Sequence, residues 1–391
     1  MVDELDRGLL ASTFLPQATS IRAINRARII YMIRKRPGLT RTELSRLSGL
    51  SKGTISNLVG ELLEEGLLHE EHGQENRQRN TGLWLNRNAG FAVGIELSPD
   101  ECRGVLTDME IRALRHAERP LSSTHVEETV ETLVSTTNEL LAGVEGRCMG
   151  LAIAVPGPTD ARGQTVLFSE SLGWYDVPLA PRLAERLPFP VTLINRPRAG
   201  VLGEHWYGAG VGINDLIYVS ITSGVAAGIL IGGQLFTGAF GNSGELGHTT
   251  ALIDGPECVC GNRGCLEALA SLPAITRSIE QRLRQGEPST LSVLLHEAGR
   301  LPHSAVITAA RDGDALALDE IKRASRLVGI GVANLIDLFN PRRVIIGGRL
   351  VDAGDVVLST VRETAQRRTF PLSFSGVEIV RSALGADSVG I

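Results

Sequence analysis

Three of the chain's five cysteines fall within one short stretch, Cys258-x-Cys260-x4-Cys265. His248 stands ten positions before the first of them and Glu267 two positions after the last. Three thiolates and an imidazole are the donor set of a tetrahedral Cys3His zinc site. Four protein ligands leave no open position, so Zn2+ held there would be structural. Cys258 and Cys260 are too close along the chain for an easy disulfide with each other. Gly255, Gly261 and Gly264 supply the tight turns a loop needs to close round a small ion. The alternative is a loop with incidental cysteines and a hydrogen-bonded histidine, but so dense a cluster favours metal.

A second chemistry is written near the N-terminus. The whole chain of 391 residues carries a formal charge of −5, yet residues 20–55 hold nine Lys or Arg against the single acid Glu43. A local basic surplus on an acidic protein points to a polyanion partner for that segment alone. The pattern around it reads as three helices. Ile24, Ala27, Ile30, Tyr31 and Ile33 recur at helical spacing up to Pro37-Gly38. Thr40-Arg41-Thr42-Glu43 is a capping box for a short second helix that Gly49 breaks. Ser51 then caps a third, with Ile55, Leu58, Val59 and Leu62 on one side and Lys52, Thr54, Ser56 and Asn57 on the other.

That order predicts a helix-turn-helix, whose second helix enters the major groove with its first residues on base edges. Small donors and acceptors there suit base reading. The polar loop containing Arg77 and Arg79, flanked by Leu67-Leu68-His69 and Leu83-Trp84-Leu85, predicts a wing whose arginines reach phosphates or the minor groove. The expected DNA contacts are thus Arg41, Ser51, Lys52, Thr54, Ser56, Asn57, Arg77 and Arg79. A three-helix protein-docking module is the competing interpretation.

The remaining elements must position the cysteine loop. Apolar runs of strand length recur at residues 91–97, 149–155, 191–195, 216–221, 225–235 and 344–348. Helical patterns lie at 126–142, 199–210 and 327–340. This alternation predicts α/β domains with largely parallel sheets, whose ligands bind beyond the carboxyl ends of the strands. Thr222-Ser223-Gly224 and Gly347-Gly348 have the small residues of phosphate-cradling turns. No GxxxxGK[ST] loop is present, so a Walker-type nucleotide site is not supported.

A winged helix followed by an α/β body containing Glu245-x-Gly247-His248 and Cys-x-Cys-Gly-x-x-Gly-Cys-x-Glu resembles the ROK family of repressors and sugar kinases. The resemblance runs from about residue 20 to 387. It implies an actin-like, sugar-kinase (ribonuclease H-like) fold in two lobes with a sugar-binding cleft between them. It also implies that His248 ligates zinc and touches a sugar hydroxyl, with Glu245 and Glu267 as further sugar contacts. The implied organisation is an extension over 1–19, a winged helix-turn-helix over 20–86, a first lobe over 87–196, and a second over 197–391 with its zinc loop at 248–265. Gly157, Trp174, Asn195 and Arg196 complete the expected ligand-binding set. The segment 382–387 resembles the family's approach to a last helix, after which the chain ends at Ile391.

Two departures from the family pattern bear on catalysis. The kinases' Asp and Gly-Gly-Thr turn at the first strand is replaced by Glu96-Leu97-Ser98-Pro99-Asp100. The Asn-Asp pair whose Asp is the general base is replaced by Asn195-Arg196, and an arginine accepts no proton at working pH. The expectation is a degenerate, non-catalytic kinase domain without catalytic residues. Such a domain would serve a sugar-responsive regulator of carbohydrate metabolism acting on operator DNA as a homodimer or homotetramer; the alternative is a bifunctional sugar kinase that also binds DNA. Arg196 itself either meets an anionic effector or pairs with an acid of the protein. No apolar run of about 18 residues predicts a membrane helix, the first residues do not read as a signal peptide, and the cytoplasm is the expected compartment.

Overall fold

The computed structural model describes residues 21–72, 81–239 and 241–385. These form two compact units that divide at Arg196/Pro197. Arg77 and Arg79 lie outside the described residues.

The first unit opens with helices α1 (Ile21–Lys35), α2 (Arg41–Ser48) and α3 (Lys52–Glu64), then the antiparallel strands β1 (Leu68–His72) and β2 (Thr81–Leu85). The capping box is present in full. Thr40 Oγ1 accepts from the Glu43 N–H at 3.2 Å, and the Glu43 carboxylate accepts from the Thr40 N–H at 2.9 Å. Gly49 ends α2 in the left-handed region at φ 70°, and Ser51 caps α3 through the Thr54 N–H at 3.1 Å. Ile29, Ile33, Leu44, Ile55, Val59, Leu62 and Leu83 are fully buried together and hold the three helices to β2. One pairing was not foreseen: Leu39 forms an isolated antiparallel bridge with Leu83 of β2.

After this comes a five-stranded sheet in the order β5-β4-β3-β6-β9, made of β3 (Phe91–Leu97), β4 (Glu101–Asp108), β5 (Ala113–Pro120), β6 (Cys148–Val155) and β9 (Val191–Asn195). Helix α4 (Val126–Leu141) packs on it through Val130, Leu133 and Leu140, and the hairpin β7 (Val166–Ser169) and β8 (Trp174–Val177) joins the same core.

The second unit repeats the strand order as β12-β11-β10-β13-β14. Its strands are β10 (Leu216–Ile221), β11 (Val225–Ile231), β12 (Gln234–Leu235), β13 (Arg343–Gly347) and β14 (Glu378–Arg381). In both sheets two pairings are antiparallel and two parallel, so the sheets are mixed rather than largely parallel. A continuous apolar run reports burial on both faces and says nothing of direction. The three-residue links at 98–100 and 222–224 are too short for a parallel crossover. The long helix Ala315–Phe339 begins twelve residues earlier than its apolar pattern suggested. Asp314 starts it by accepting from the Ala317 N–H at 3.0 Å, and Asn340 ends it at φ 43°.

Gly347, expected in a phosphate turn, has another task. Tyr218 is fully buried in β10, and a Cβ on Gly347 would lie 2.4 Å from its hydroxyl. A Cβ on Gly200 would lie 2.4 Å from its ring edge. Both positions are small because the tyrosine passes close to each.

Candidate metal centre and recognition surfaces

The cysteine loop is built from close backbone crossings. Thr250 bridges Cys265, Glu257 bridges Arg263, and the Cys258 N–H donates to Asn262 O at 2.7 Å. Gly264, at φ 68°, passes so near Leu252 that a Cβ would lie 1.5 Å from its carbonyl oxygen. Within this frame one donor atom each from His248, Cys258, Cys260 and Cys265 lies within 4.8 Å of the others. The Cys260 and Cys265 sulfurs are 3.7 Å apart, as are Cys258 Sγ and His248 Nδ1. Zinc–sulfur bonds of about 2.3 Å and zinc–nitrogen bonds of about 2.0–2.1 Å place tetrahedral ligand atoms roughly 3.6–3.8 Å apart, so the residues fit the group. Burial and the neighbouring thiols push the Cys265 thiol up to about 12, and burial also raises that of Cys258. Thiols so placed ionise readily only with a cation among them. The four residues form a cluster able to hold a metal.

Two expected sugar contacts adjoin this cluster in the second unit. Glu267 is the first acid of the short helix Leu266–Ala270, and its Oε2 accepts from the Val225 N–H at 2.9 Å. The same oxygen would lie 2.5 Å from a Cβ on Gly224. The protein's own Glu267 carboxylate thus lies against Gly224 and bonds the first residue after the Thr222-Ser223-Gly224 turn. Glu245 immediately precedes the 3-10 turn Leu246–His248. Part of it is open to solvent, yet crowding by protein pushes its carboxyl above the usual range. His248 opposes that rise, the like charge of Glu267 adds to it, and Arg198 opposes it.

In the first unit, Asn195 and Arg196 are buried at the carboxyl end of β9. Asn195 Nδ2 donates to Gly157 O at 2.9 Å, which pins the Pro156-Gly157-Pro158 loop. Gly157 has φ +100°, and a Cβ there would lie 2.0 Å from Phe168 O. Arg196 Nη1 lies 3.7 Å from Glu96 Oε1, and Arg103 Nη2 donates to Glu96 Oε2 at 3.0 Å. Of the two partners open to Arg196, the structure therefore shows an acid of the protein, and that acid is one of the replacements at the first strand. Trp174 is only 4 % exposed, and its indole N–H donates to Thr124 O at 2.7 Å, so its polar atom and ring both serve the core. Strand alternation turns the next residue, Tyr175, outward at 82 % exposure.

On the winged helix, Ser51, Lys52, Ser56 and Asn57 are exposed and Thr54 is half-buried near the N-terminus of α3. Arg41 is ion-paired to Glu70 on β1. The basic surplus is also smaller than it looks along the chain. Arg22 pairs with Glu61, and Arg26 reaches Glu65 at 2.5 Å and Glu61 at 3.2 Å. Two of the nine basic residues therefore lock α1 to α3, through acids that follow the basic window in sequence.

A winged helix at the head of the first unit, with an actin-like sheet of the same strand order in each unit, defines a transcriptional regulator built on a sugar-kinase fold. Residues 92–390 match the ROK family and residues 23–79 match the MarR family; the chain belongs to the ROK family. It is 32% identical over 376 residues to a xylose repressor of Caldicellulosiruptor bescii, covering 94% of this chain and 93% of that one. It is 36% identical over 267 residues to a glucokinase of Thermotoga maritima, covering 67% and 82%. Among solved structures, a ROK family transcriptional regulator described as a homologue of the E. coli Mlc protein superposes with a TM-score of 0.82 at 27% identity, covering 94% of each chain. Among the described residues no helix is long and apolar enough to cross a membrane.

Proposed function

We propose that this chain is a sugar-responsive repressor of carbohydrate metabolism that binds operator DNA as a homodimer or homotetramer in the cytoplasm and carries no kinase activity. The start of α3, with Lys52, Thr54, Ser56 and Asn57, reads base edges, while Ser51, Arg41 and the wing arginines Arg77 and Arg79 attend to phosphates. Use of Arg41 on DNA requires exchange of its Glu70 partner for a phosphate. Glu245, His248 and Glu267 form the polar set that hydrogen-bonds a polyhydroxyl effector; Gly157 and Asn195 are further proposed ligand contacts. Zinc at His248, Cys258, Cys260 and Cys265 would fix the His248 ring through Nδ1, the nitrogen nearest Cys258, leaving Nε2 for the effector. The xylose repressor relative places xylose in the panel of candidate effectors.

The observation that carries the non-catalytic reading is the Glu96–Arg196 pair. A general base must be able to take a proton from the sugar hydroxyl, and a guanidinium cannot. The glucokinase relatives are the reason to test this directly. A coupled ADP assay over a panel of sugars is expected to show no turnover above the enzyme-free blank. Sustained ADP release with any sugar would establish the bifunctional kinase instead.

A further inference from the structure

Arg196, a candidate partner for a charged effector, is paired with Glu96. Two residues on, Arg198 is in a different position. Among the described residues its single hydrogen bond runs from Nη2 to Gly241 O, and its Nε is buried with no partner. No ion pair joins it to an acid among the described residues. Glu245 is the carboxylate whose charge it feels, across a gap wider than an ion pair, and burial works against the guanidinium's charge. A guanidinium has five donors in a planar fork and cannot shed its proton. A buried donor without a partner is unfavourable, and more so on a charged group. Ordinary packing would therefore give Arg198 an acid of its own, as it does for Arg196.

We propose that Arg198 receives the anionic group of the effector, which is a sugar carboxylate or sugar phosphate rather than a neutral sugar. This deepens the sugar-sensing reading above and rests on it. Glu245, His248 and Glu267 take the hydroxyls, and the fork of Arg198 takes two oxygens of the acid group. Charge-assisted, two-pronged contacts of this kind are stronger and more selective than a hydroxyl's.

The test is calorimetric titration of the full, metal-loaded chain with D-xylonate, D-glucuronate and glucose 6-phosphate, beside xylose and glucose. An anionic sugar is expected to bind at least about tenfold tighter than the neutral sugars. Arg198→Ala should erase that preference, with a loss of about 10- to 100-fold for the anion and little change for a neutral sugar. Arg198→Lys should keep part of it. A preference for the carboxylates over the phosphate, or the reverse, names the acid group. Neutral sugars binding as tightly as anionic ones to the unaltered protein would overturn the proposal and leave sugar sensing intact, and that comparison needs no variant. Equal loss of both ligand classes in Arg198→Ala, with the melting temperature unchanged, would also overturn it. Absence of binding by every sugar would remove the sensing reading together with the proposal.

Discussion

Cys265→Ser is expected to release the metal and to give the largest loss of stability of any single change in the second unit. Cys265 is fully buried, bridges Thr250, and lies 3.7 Å from Cys260 Sγ. The segment 246–265 has few apolar residues facing inward, while Leu252, Ile253 and Val259 are exposed, so metal bonds rather than a core would hold its turns. Metal binding and folding are then one free energy, and structural zinc in small domains contributes on the order of 10 kcal/mol. Elemental analysis of the unaltered protein should give about one zinc per chain. The serine variant should give almost none, melt earlier, and no longer respond to added chelator. Because Glu267 lies two residues beyond Cys265 and His248 belongs to the same candidate metal cluster, sugar binding should fail with the metal. Full retention of the melting temperature in Cys265→Ser, or no zinc in the unaltered protein, would contradict this account.

The second large effect is expected at Glu204, which no sugar or DNA contact requires. It is fully buried in the helix Arg196–Tyr207. Its carboxylate accepts from the Ala209 N–H at 2.7 Å, the Ser382 hydroxyl, the Ala383 N–H at 3.3 Å and the Leu384 N–H at 3.2 Å. One side chain thus ties the turn after its own helix to the segment after β14, 178 residues away in sequence. Glu204→Ala leaves buried donors without acceptors and opens a cavity, at a cost of at least about 3 kcal/mol. For a unit of this size that is a fall of roughly 6–12 °C in melting temperature. Glu204→Gln keeps the shape but turns an amide N–H2 toward backbone donors, and should recover only part of the loss. Differential scanning calorimetry distinguishes these outcomes, and a loss under about 1 kcal/mol in the alanine variant would show that water replaces the carboxylate.

What could be seen in the residues beforehand divides along physical lines. Local signals were readable: the Thr40/Glu43 capping box, the Gly49 break, the Ser51 cap and the four clustered metal donors depend on neighbours a few positions away, and each is present. Signals that depend on distant partners were not. The basic N-terminal stretch looked wholly available until Glu61 and Glu65 proved to occupy Arg22 and Arg26. Trp174 was expected among the ligand-binding residues, yet it is buried in the core and the adjacent Tyr175 faces out, an orientation set by the strand pairing and not by the residue type. The amino-terminal half of the helix Ala315–Phe339 escaped notice because its buried stripe of Leu316, Ala317, Ile321 and Ala324 is interrupted by the buried polar residues Glu320 and Ser325. Asp314, which also accepts from Ser289 and from both the backbone and hydroxyl of Thr290, was the available signal for its start. Arg196 could be recognised as unable to serve as a base, but its pairing with Glu96 follows from the parallel alignment of β3, β6 and β9, which sequence spacing does not reveal.

The central claim is that a sugar-binding body controls a DNA-reading head. Fluorescence anisotropy with labelled DNA from upstream of the protein's own coding region, beside a scrambled duplex at moderate salt, tests it most directly. The account predicts binding to the native sequence about a thousandfold or more tighter than to the scrambled one, weakening steeply as salt is raised, and a shift in that affinity on adding the sugar or sugar acid that binds the body. Equal affinity for the two duplexes, or an affinity that no bound sugar changes, would contradict it.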